Sequence, residues 1–233
     1  MGGPDSVCSF RPRPAASRGI SWGIRRRTAM CRRWLPEDGT SRSDGTSGTC
    51  FTCGEDIAKQ GGIFGQYQGL LGSFRGRVID TPISEEVVFG AALAGCRPVV
   101  EFHFVDFLFT GMGALVNQIM KIRYMAGGQG ALPIILRGPD GRARSAAAHR
   151  SQSIETLLMH IPGIKVAIPS TPADVYGLYK TALTQFDPAI FFEHKLLYPL
   201  KGDVPDRETY IPLMPTRGWI VNEVRKFLHA RAT

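Results

Sequence analysis

The sequence predicts an α/β fold, a mostly parallel sheet flanked by helices. Of its 233 residues, 43% are hydrophobic and 21% are charged, which suits one globular domain with a sizeable core. From about residue 51 onward, short runs rich in β-branched and aromatic residues alternate with segments of helical periodicity. Strands separated by helices pair in parallel through right-handed crossovers, so this alternation predicts the fold class.

Five segments are predicted to be strands, each closed by proline, glycine or a charged residue. In chain order they are Arg77–Asp80, Pro98–Phe102, Leu132–Arg137, Ile164–Ile168 and Ala189–Glu193.

Two of the intervening helices can be placed from the sequence. Leu115, Ile119, Ile122 and Met125 recur at spacings of four, three and three, which predicts a helix that buries one stripe against the sheet. A second helix is predicted to begin at Thr171–Pro172, a cap residue followed by proline, and to end near Asp187–Pro188.

The formal net charge of +8 is concentrated near the N-terminus. Residues 1–50 hold nine arginines, no lysine and four acidic residues, among Gly, Pro and Ser without periodicity, so this basic leader is predicted to be disordered. Three interpretations stay open: an organelle transit sequence, a polyanion-binding segment, or a translated upstream region with no selected role. Basic tracts without interleaved aromatic residues are unspecific, so nucleic acid is not an expected partner.

No apolar run approaches the roughly 18 residues that a membrane span requires, so no membrane partner is expected. Five cysteines include the pair Cys50 and Cys53, but no second pair or nearby histidine completes a zinc site. If this segment is a strand, the two thiols point to opposite faces of the sheet. We therefore predict no metal ligands here.

Polar residues gather after the predicted strands, where ligands bind in open α/β sheets. They are Glu85, His103, Asp106, the loop RGPDGRARSAAAHRSQS and His194. Neither a GxGxxG fingerprint after a strand nor a GxxxxGK[ST] loop occurs, so dinucleotide and P-loop functions lose their main support.

A series of longer motifs is more specific. In order, they are GEDIAKQGG (54–62), RVIDTPISE (77–85), GAALAGCRPVVEF (90–102), MKIRYMAGGQ (120–129), LPIILRGPDG (132–141), SQSIETLLMHIPGIKVAIPSTPADVYGL (151–178) and FFEHKLLY (191–198). This series closely resembles the beta subunit of the thiamine-diphosphate-dependent component of 2-oxo acid dehydrogenase complexes, of the pyruvate, acetoin and branched-chain types.

The resemblance implies a transketolase-like pyrimidine-binding domain over residues 51–212, with thiamine diphosphate as the cofactor. Residues 213–233 then form a short divergent tail where relatives carry a C-terminal domain. An alpha subunit is expected to hold the diphosphate and its Mg²⁺. The other partners that the resemblance implies are a second beta subunit, the lipoyl acyltransferase core and a small 2-oxo acid.

The resemblance also assigns residues to the site. Glu85, the glutamate of the TPISE motif, is expected to hydrogen-bond a ring nitrogen of the cofactor's aminopyrimidine in a dry pocket with apolar neighbours such as Ile83. Phe107 matches the aromatic residue that packs on the pyrimidine. His103 stands where many relatives have methionine and is expected to line the same pocket.

His149 is the predicted proton-transfer residue, because relatives carry a catalytic histidine before Ser-Gln. In this sequence Arg150 occupies the position directly before Ser151, and His149 comes one residue earlier. Either the loop shifts to present His149, or Arg150 occupies the site; an arginine can hold a carboxylate but cannot act as a base at neutral pH. The chain is also about four residues shorter than relatives between Glu85 and Gly90, so Glu86 competes for the role of Glu85.

The resulting hypothesis is an enzyme subunit, active only with its alpha partner, for oxidative decarboxylation of a 2-oxo acid and acyl transfer to a lipoyl group. The alternative is a truncated, non-catalytic relative that acts as an interaction protein. The expected location is the cytoplasm, or the mitochondrial matrix if the leader is a presequence.

Overall fold

The computed structural model describes residues 20–21, 50–85, 96–142, 146–204 and 210–213. Several sequence predictions fall outside these ranges: most of the leader, the divergent tail after residue 213, Glu86 and the shortened segment up to Gly90. Within the described ranges, no helix is both long enough and apolar enough to cross a membrane.

A six-stranded sheet, parallel at every pairing, confirms the predicted fold class. Its strands are β2 (Cys50–Gly54), β3 (Val78–Asp80), β4 (Arg97–Glu101), β5 (Ile135–Asp140), β6 (Lys165–Ala167) and β7 (Ala189–His194). Their order across the sheet is β3-β2-β4-β5-β7-β6.

Both faces of the sheet are covered, so neighbouring residues of one strand enter different cores. Leu136 and Ile190 belong to one hydrophobic cluster, whereas Ile135 and Phe191 belong to the other. This alternation requires buried residues on consecutive positions, which explains why the strands read as continuous apolar runs.

In the described part of the chain, five short or medium α-helices flank the sheet. They are α1 (Leu70–Ser73), α2 (Met112–Ala114), α3 (Ile122–Met125), α4 (Glu155–His160) and α5 (Pro172–Thr184). Helix α5 begins at the predicted residue, because the Thr171 hydroxyl accepts from the Asp174 N–H while the Asp174 carboxylate accepts from the Thr171 N–H. It ends at Thr184, three residues before the predicted Asp187.

The predicted stripe between residues 115 and 125 is only half confirmed. Leu115 and Ile119 are buried, but Met125 is 69% exposed. Residues Leu115–Ile119 form a π-helical turn between α2 and α3. A wider turn changes the angular phase of everything after it, so Met125 rotates away from the sheet.

Three strands of the described residues lie outside the predicted set. β2 contains the segment Cys50-Phe-Thr-Cys53, for which the sequence left a strand open. Its two thiols do face different clusters. Ile20–Ser21 (β1) pairs antiparallel with Lys201–Gly202 (β8). The predicted disorder of the leader is therefore wrong at Ile20 and Ser21.

Candidate active site

The carboxyl ends of all six parallel strands lie at one edge of the sheet. The direction of the strand order reverses at one point along that edge. The chain passes from β2 to β3 on one side of β2 and then returns to β4 on the other side of β2. Such a reversal opens a crevice between the two diverging connections, and ligands of open α/β sheets bind there.

An open cleft lies at this point, continuous with solvent. Its lining comes from the ends of β2, β3 and β4: Gly54, Glu55, Thr81, Pro82, Ser84, Glu85, Val100, Glu101, Phe102 and His103. The cleft therefore combines carboxyl groups with apolar surface. It includes two of the predicted site residues, Glu85 and His103.

Glu85 is half-buried at the end of the segment that follows β3. The Thr81 N–H donates to the Gly54 carbonyl at 3.0 Å, which carries this segment across the end of β2. Its far end rests on Gly111, where an added Cβ would lie 3.1 Å from the Glu85 carbonyl oxygen and 3.2 Å from its Cβ. The predicted apolar neighbour Ile83 is instead 78% exposed, since its side chain turns to solvent.

His103 is half-buried and contacts Glu55, with 2.8 Å between Nδ1 and Oε2. Asp56 adds a third donor, and the donor atoms of these three residues all lie within 4.8 Å of one another. Asp56 has a φ of 55°, a left-handed conformation that ends β2 in a turn. Among the described residues this trio is the group whose geometry suits a metal ion.

Phe107 is half-buried, in a 3₁₀ turn that follows β4 (Val105–Phe109). Its ring packs edge to face against Phe104 with 5.8 Å between centroids, and Phe64 packs edge to face on Phe104 at 6.1 Å. The turn after β4 therefore presents an aromatic surface beside the cleft.

The loop that contains His149 and Arg150 is a 3₁₀ turn, Ala148–Arg150. The Arg150 guanidinium carbon lies 5.4 Å from the centroid of Phe104 and 6.0 Å from that of Phe107. His149 is exposed, and its side chain makes no hydrogen bond, ion pair or ring contact with the rest of the described chain. Its proton-transfer role stays a prediction, while Arg150 is the residue that faces Phe107.

Buried charged groups support this loop from below. Asp106, Asp140 and Lys195 are all buried, and one carboxyl oxygen each of Asp106 and Asp140 has no hydrogen-bond partner in the described structure. Burial, reinforced by the charge of Glu155, raises the pKa of Asp140 to about 7. Burial also lowers the pKa of Lys195, an effect that Asp106 and Asp140 oppose.

Sequence reasoning missed a buried network behind the cleft. Glu101 accepts from Gln66 Nε2 at 2.7 Å and from Tyr67 Oη at 2.8 Å, and it forms an ion pair with Arg137. Burial raises the pKa of Glu101, against the effect of Arg137. The signal was a charge inside an apolar run, which is rare unless the charge is paired.

A protein-family model described as "Transketolase, pyrimidine binding domain" matches residues 47–201. The chain belongs to this family. The match begins just before β2 and ends at β8, so it spans the whole six-stranded sheet of the transketolase pyrimidine-binding domain and the edge that carries the cleft.

Named relatives extend the comparison. The chain is 39% identical over 169 residues to the 2-oxoisovalerate dehydrogenase subunit beta of Bacillus subtilis, covering 70% of this chain and 52% of that protein. It is 43% identical over 156 residues to the acetoin:2,6-dichlorophenolindophenol oxidoreductase subunit beta of Cupriavidus necator, with coverages of 65% and 46%. The pyruvate dehydrogenase E1 component subunit beta of Rhizobium meliloti is 41% identical over 166 residues, with coverages of 69% and 36%.

The chain therefore spans about half the length, or less, of these relatives. A solved structure titled "Split gene transketolase, inactive beta4 tetramer" superposes with a TM-score of 0.57 and 17% identity, covering 83% of this chain and 56% of that one. At this identity the likeness supports the fold alone. It agrees with the transketolase-type pyrimidine domain found from the sequence match.

Proposed function

We propose that this chain is a beta-type subunit of a 2-oxo acid dehydrogenase and supplies the pyrimidine-binding half of a thiamine diphosphate site. The observation that carries the proposal is the half-buried carboxyl group of Glu85, which lines the cleft at the reversal of the strand order in a pyrimidine-binding domain. The names of the relatives support the reaction class, since all three are beta subunits of dehydrogenases or oxidoreductases.

The residues of the cleft fit an aminopyrimidine. Such a ring presents polar nitrogens on its edge and an apolar face, and the cleft offers the Glu85 carboxyl group for the edge. Phe107 extends the aromatic surface for packing, and His103, held by Glu55, adds a polar group at the wall. This donor set matches the ligand chemistry that the resemblance implies.

When bound, thiamine diphosphate supplies the carbon nucleophile that attacks a 2-oxo acid. Glu85 holds a hydrogen bond to a pyrimidine ring nitrogen, and a charge-assisted bond of this kind is strong where water is partly excluded. Phe107 covers the ring and limits solvent access. His149 remains the predicted proton-transfer group of the neighbouring loop.

The overall reaction is oxidative decarboxylation of the 2-oxo acid with acyl transfer to a lipoyl group. An alpha subunit completes the site with the diphosphate and its Mg²⁺, a second beta subunit completes the heterotetramer, and the lipoyl acyltransferase core receives the acyl group. The proposed location is the cytoplasm, with the mitochondrial matrix as the alternative. The relatives are subunits of enzymes, so the non-catalytic alternative is not favoured.

The test is reconstitution of the full chain with alpha subunits of the pyruvate, acetoin and branched-chain types, Mg²⁺ and thiamine diphosphate. Cofactor binding is measured by calorimetry, and turnover is measured by reduction of an acceptor dye. Glu85→Gln is expected to lower turnover by about 10² to 10⁴-fold, the usual share of a proton-handling group. Asp203→Asn, an exposed carboxylate outside the cleft, serves as the matched control and keeps wild-type turnover.

Two results would contradict the proposal. Turnover that survives Glu85→Gln removes the assigned role of that residue. If the chain neither binds the cofactor nor supports turnover with any of the alpha subunits, the proposed function as an enzyme subunit is wrong.

A further inference from the structure

The side chain of Arg150 is an exposed cation that faces the aromatic surface beside the cleft. Its guanidinium lies over Phe104 and Phe107, at 5.4 and 6.0 Å from their ring centroids. Phe104 is the residue next to His103, which lines the cleft. Arg150 thus lies over the aromatic rings of the turn that follows the β4 wall of the cleft.

The backbone of this loop is fixed from three strand ends. Lys195, after β7, donates from Nζ to the Arg150 carbonyl at 2.6 Å. Asp106, after β4, accepts from the Gln152 N–H at 3.0 Å, and the Gly141 N–H, after β5, donates to the Gln152 carbonyl at 3.0 Å. The position of Arg150 is therefore set by the sheet and not by the loop alone.

The charge of Arg150 is not neutralised within the described part of the chain. No carboxylate there forms an ion pair with its guanidinium, and the residue is exposed. The buried acids Asp106 and Asp140 lie near Lys195 instead. Two cations, Arg150 and Lys195, consequently lie over the same Phe104 ring, with Lys195 Nζ 4.9 Å from its centroid.

An exposed guanidinium that is held in place and stacked on aromatic rings is suited to bind a carboxylate through two parallel N–H groups. We propose that Arg150 binds the carboxylate of the substrate and restricts this subunit to anionic 2-oxo acids, as opposed to neutral hydroxyketones such as acetoin. The inference rests on the proposed function and deepens it, because it selects among the substrate types of the relatives. It assigns Arg150 a substrate-binding role and no part in proton transfer.

The first test uses the reconstituted complex and the variants Arg150→Gln, Arg150→Lys and His149→Ala. Loss of a charge-assisted hydrogen-bond pair is expected to raise KM for pyruvate and for branched 2-oxo acids about 10 to 100-fold in Arg150→Gln, with a smaller rise in Arg150→Lys. The preference for pyruvate over acetoin falls by the same factor, while thiamine diphosphate affinity changes less than twofold. Arg142→Gln, an exposed arginine on the same edge of the sheet, is the matched control.

The second test needs no turnover. Full-length chain is titrated with 3-fluoropyruvate and followed by ¹⁹F line broadening. The wild-type chain and Arg142→Gln are expected to broaden the signal, and Arg150→Gln is expected to abolish the effect. The inference is overturned if wild type produces no broadening, if Arg150→Gln keeps wild-type KM for 2-oxo acids, or if His149→Ala raises KM more than Arg150→Gln does. The line-broadening result needs neither turnover nor cofactor, so it is independent of the cofactor affinity and of Glu85→Gln, which test the proposed function.

Discussion

The position of Glu85 depends on Gly111, a residue that has no side chain. Its carbonyl oxygen and Cβ lie over Gly111, so closely that a methyl group at position 111 would be 3.1 and 3.2 Å from them. The φ of Gly111 is −97°, a value that alanine adopts without strain. Glycine is thus required here by the approach of Glu85 and not by the backbone conformation.

Gly111→Ala is therefore expected to displace Glu85 by a few tenths of an ångström and to lower turnover of the reconstituted enzyme about 10-fold or more. The matched control is Gly113→Ala in α2, because nothing lies within 4 Å of its added Cβ and alanine favours a helix by up to about 1 kcal/mol. Turnover and the free energy of unfolding are measured for both variants. Equal turnover in the two would show that Gly111 does not position Glu85.

Asp140 is a residue whose ionisation the fold disfavours. It is 3% exposed, and its Oδ1 has no hydrogen-bond partner in the described structure. Burial raises its pKa from 3.8 to about 7. A carboxyl group whose pKa is raised on folding contributes stability that is present at low pH and is lost as pH rises from about 4 to about 7.

The variant Asp140→Asn tests this sign. It keeps the shape of the protonated acid, so its free energy of unfolding is expected to match wild type near pH 4 and to exceed it by about 2 to 4 kcal/mol at pH 8. Urea unfolding at several pH values gives the difference curve. A difference that does not grow between pH 4 and pH 8 would contradict the raised pKa.

At the scale of single elements, local signals located helix starts better than helix faces. The Thr171–Pro172 signal was sufficient for α5, because its cap and capping box lie within four residues of sequence. The stripe from Leu115 to Met125 was only half correct, because one π-helical turn altered the phase. A regular period cannot reveal such a turn.

Strand boundaries show a similar division. The predicted strand Leu132–Arg137 begins three residues later in the structure, because the Ile134 N–H bonds back to the Leu132 carbonyl and forms a tight turn there. It also continues to Asp140, where pairing with β7 persists through Asp140 and His194 despite Pro139. Register with a neighbouring strand, which the sequence does not display, decided both ends.

On the scale of the whole molecule, a buried ionic network joins the strands behind the site. Arg137 on β5 forms ion pairs with Glu101 on β4 and Glu193 on β7, and Tyr179 on α5 donates to Glu193 at 2.9 Å. Burial alone would lower the pKa of Arg137, but the two carboxylates raise it, so the guanidinium stays charged. The network thereby fixes β4, at the wall of the cleft, relative to the centre of the sheet.

Arg137→Met leaves Glu101 and Glu193 buried without their cation. The free energy of unfolding is expected to fall by about 3 to 5 kcal/mol. The fall is larger at pH 8 than at pH 5, because at the lower pH the two acids take up protons and lose their unpaired charges. Chemical unfolding at both pH values measures it. The triple variant Glu101→Gln, Arg137→Met, Glu193→Gln is expected to recover part of the loss. A single variant as stable as wild type would show that the network does not contribute to stability.

The sequence by itself determined the parallel α/β class, the family, and the fact that Glu85, His103 and Phe107 follow strands. These conclusions depend on order along the chain and on short-range chemistry, which a sequence states directly. Only the tertiary structure decided that Arg150 rather than His149 faces Phe107, that Gly111 admits Glu85, and that Asp106, Asp140 and Lys195 are buried together. Each of those facts concerns residues that lie tens of positions apart in the sequence. They come into contact because several strand ends pack at one edge of the sheet, and no local sequence pattern encodes that packing.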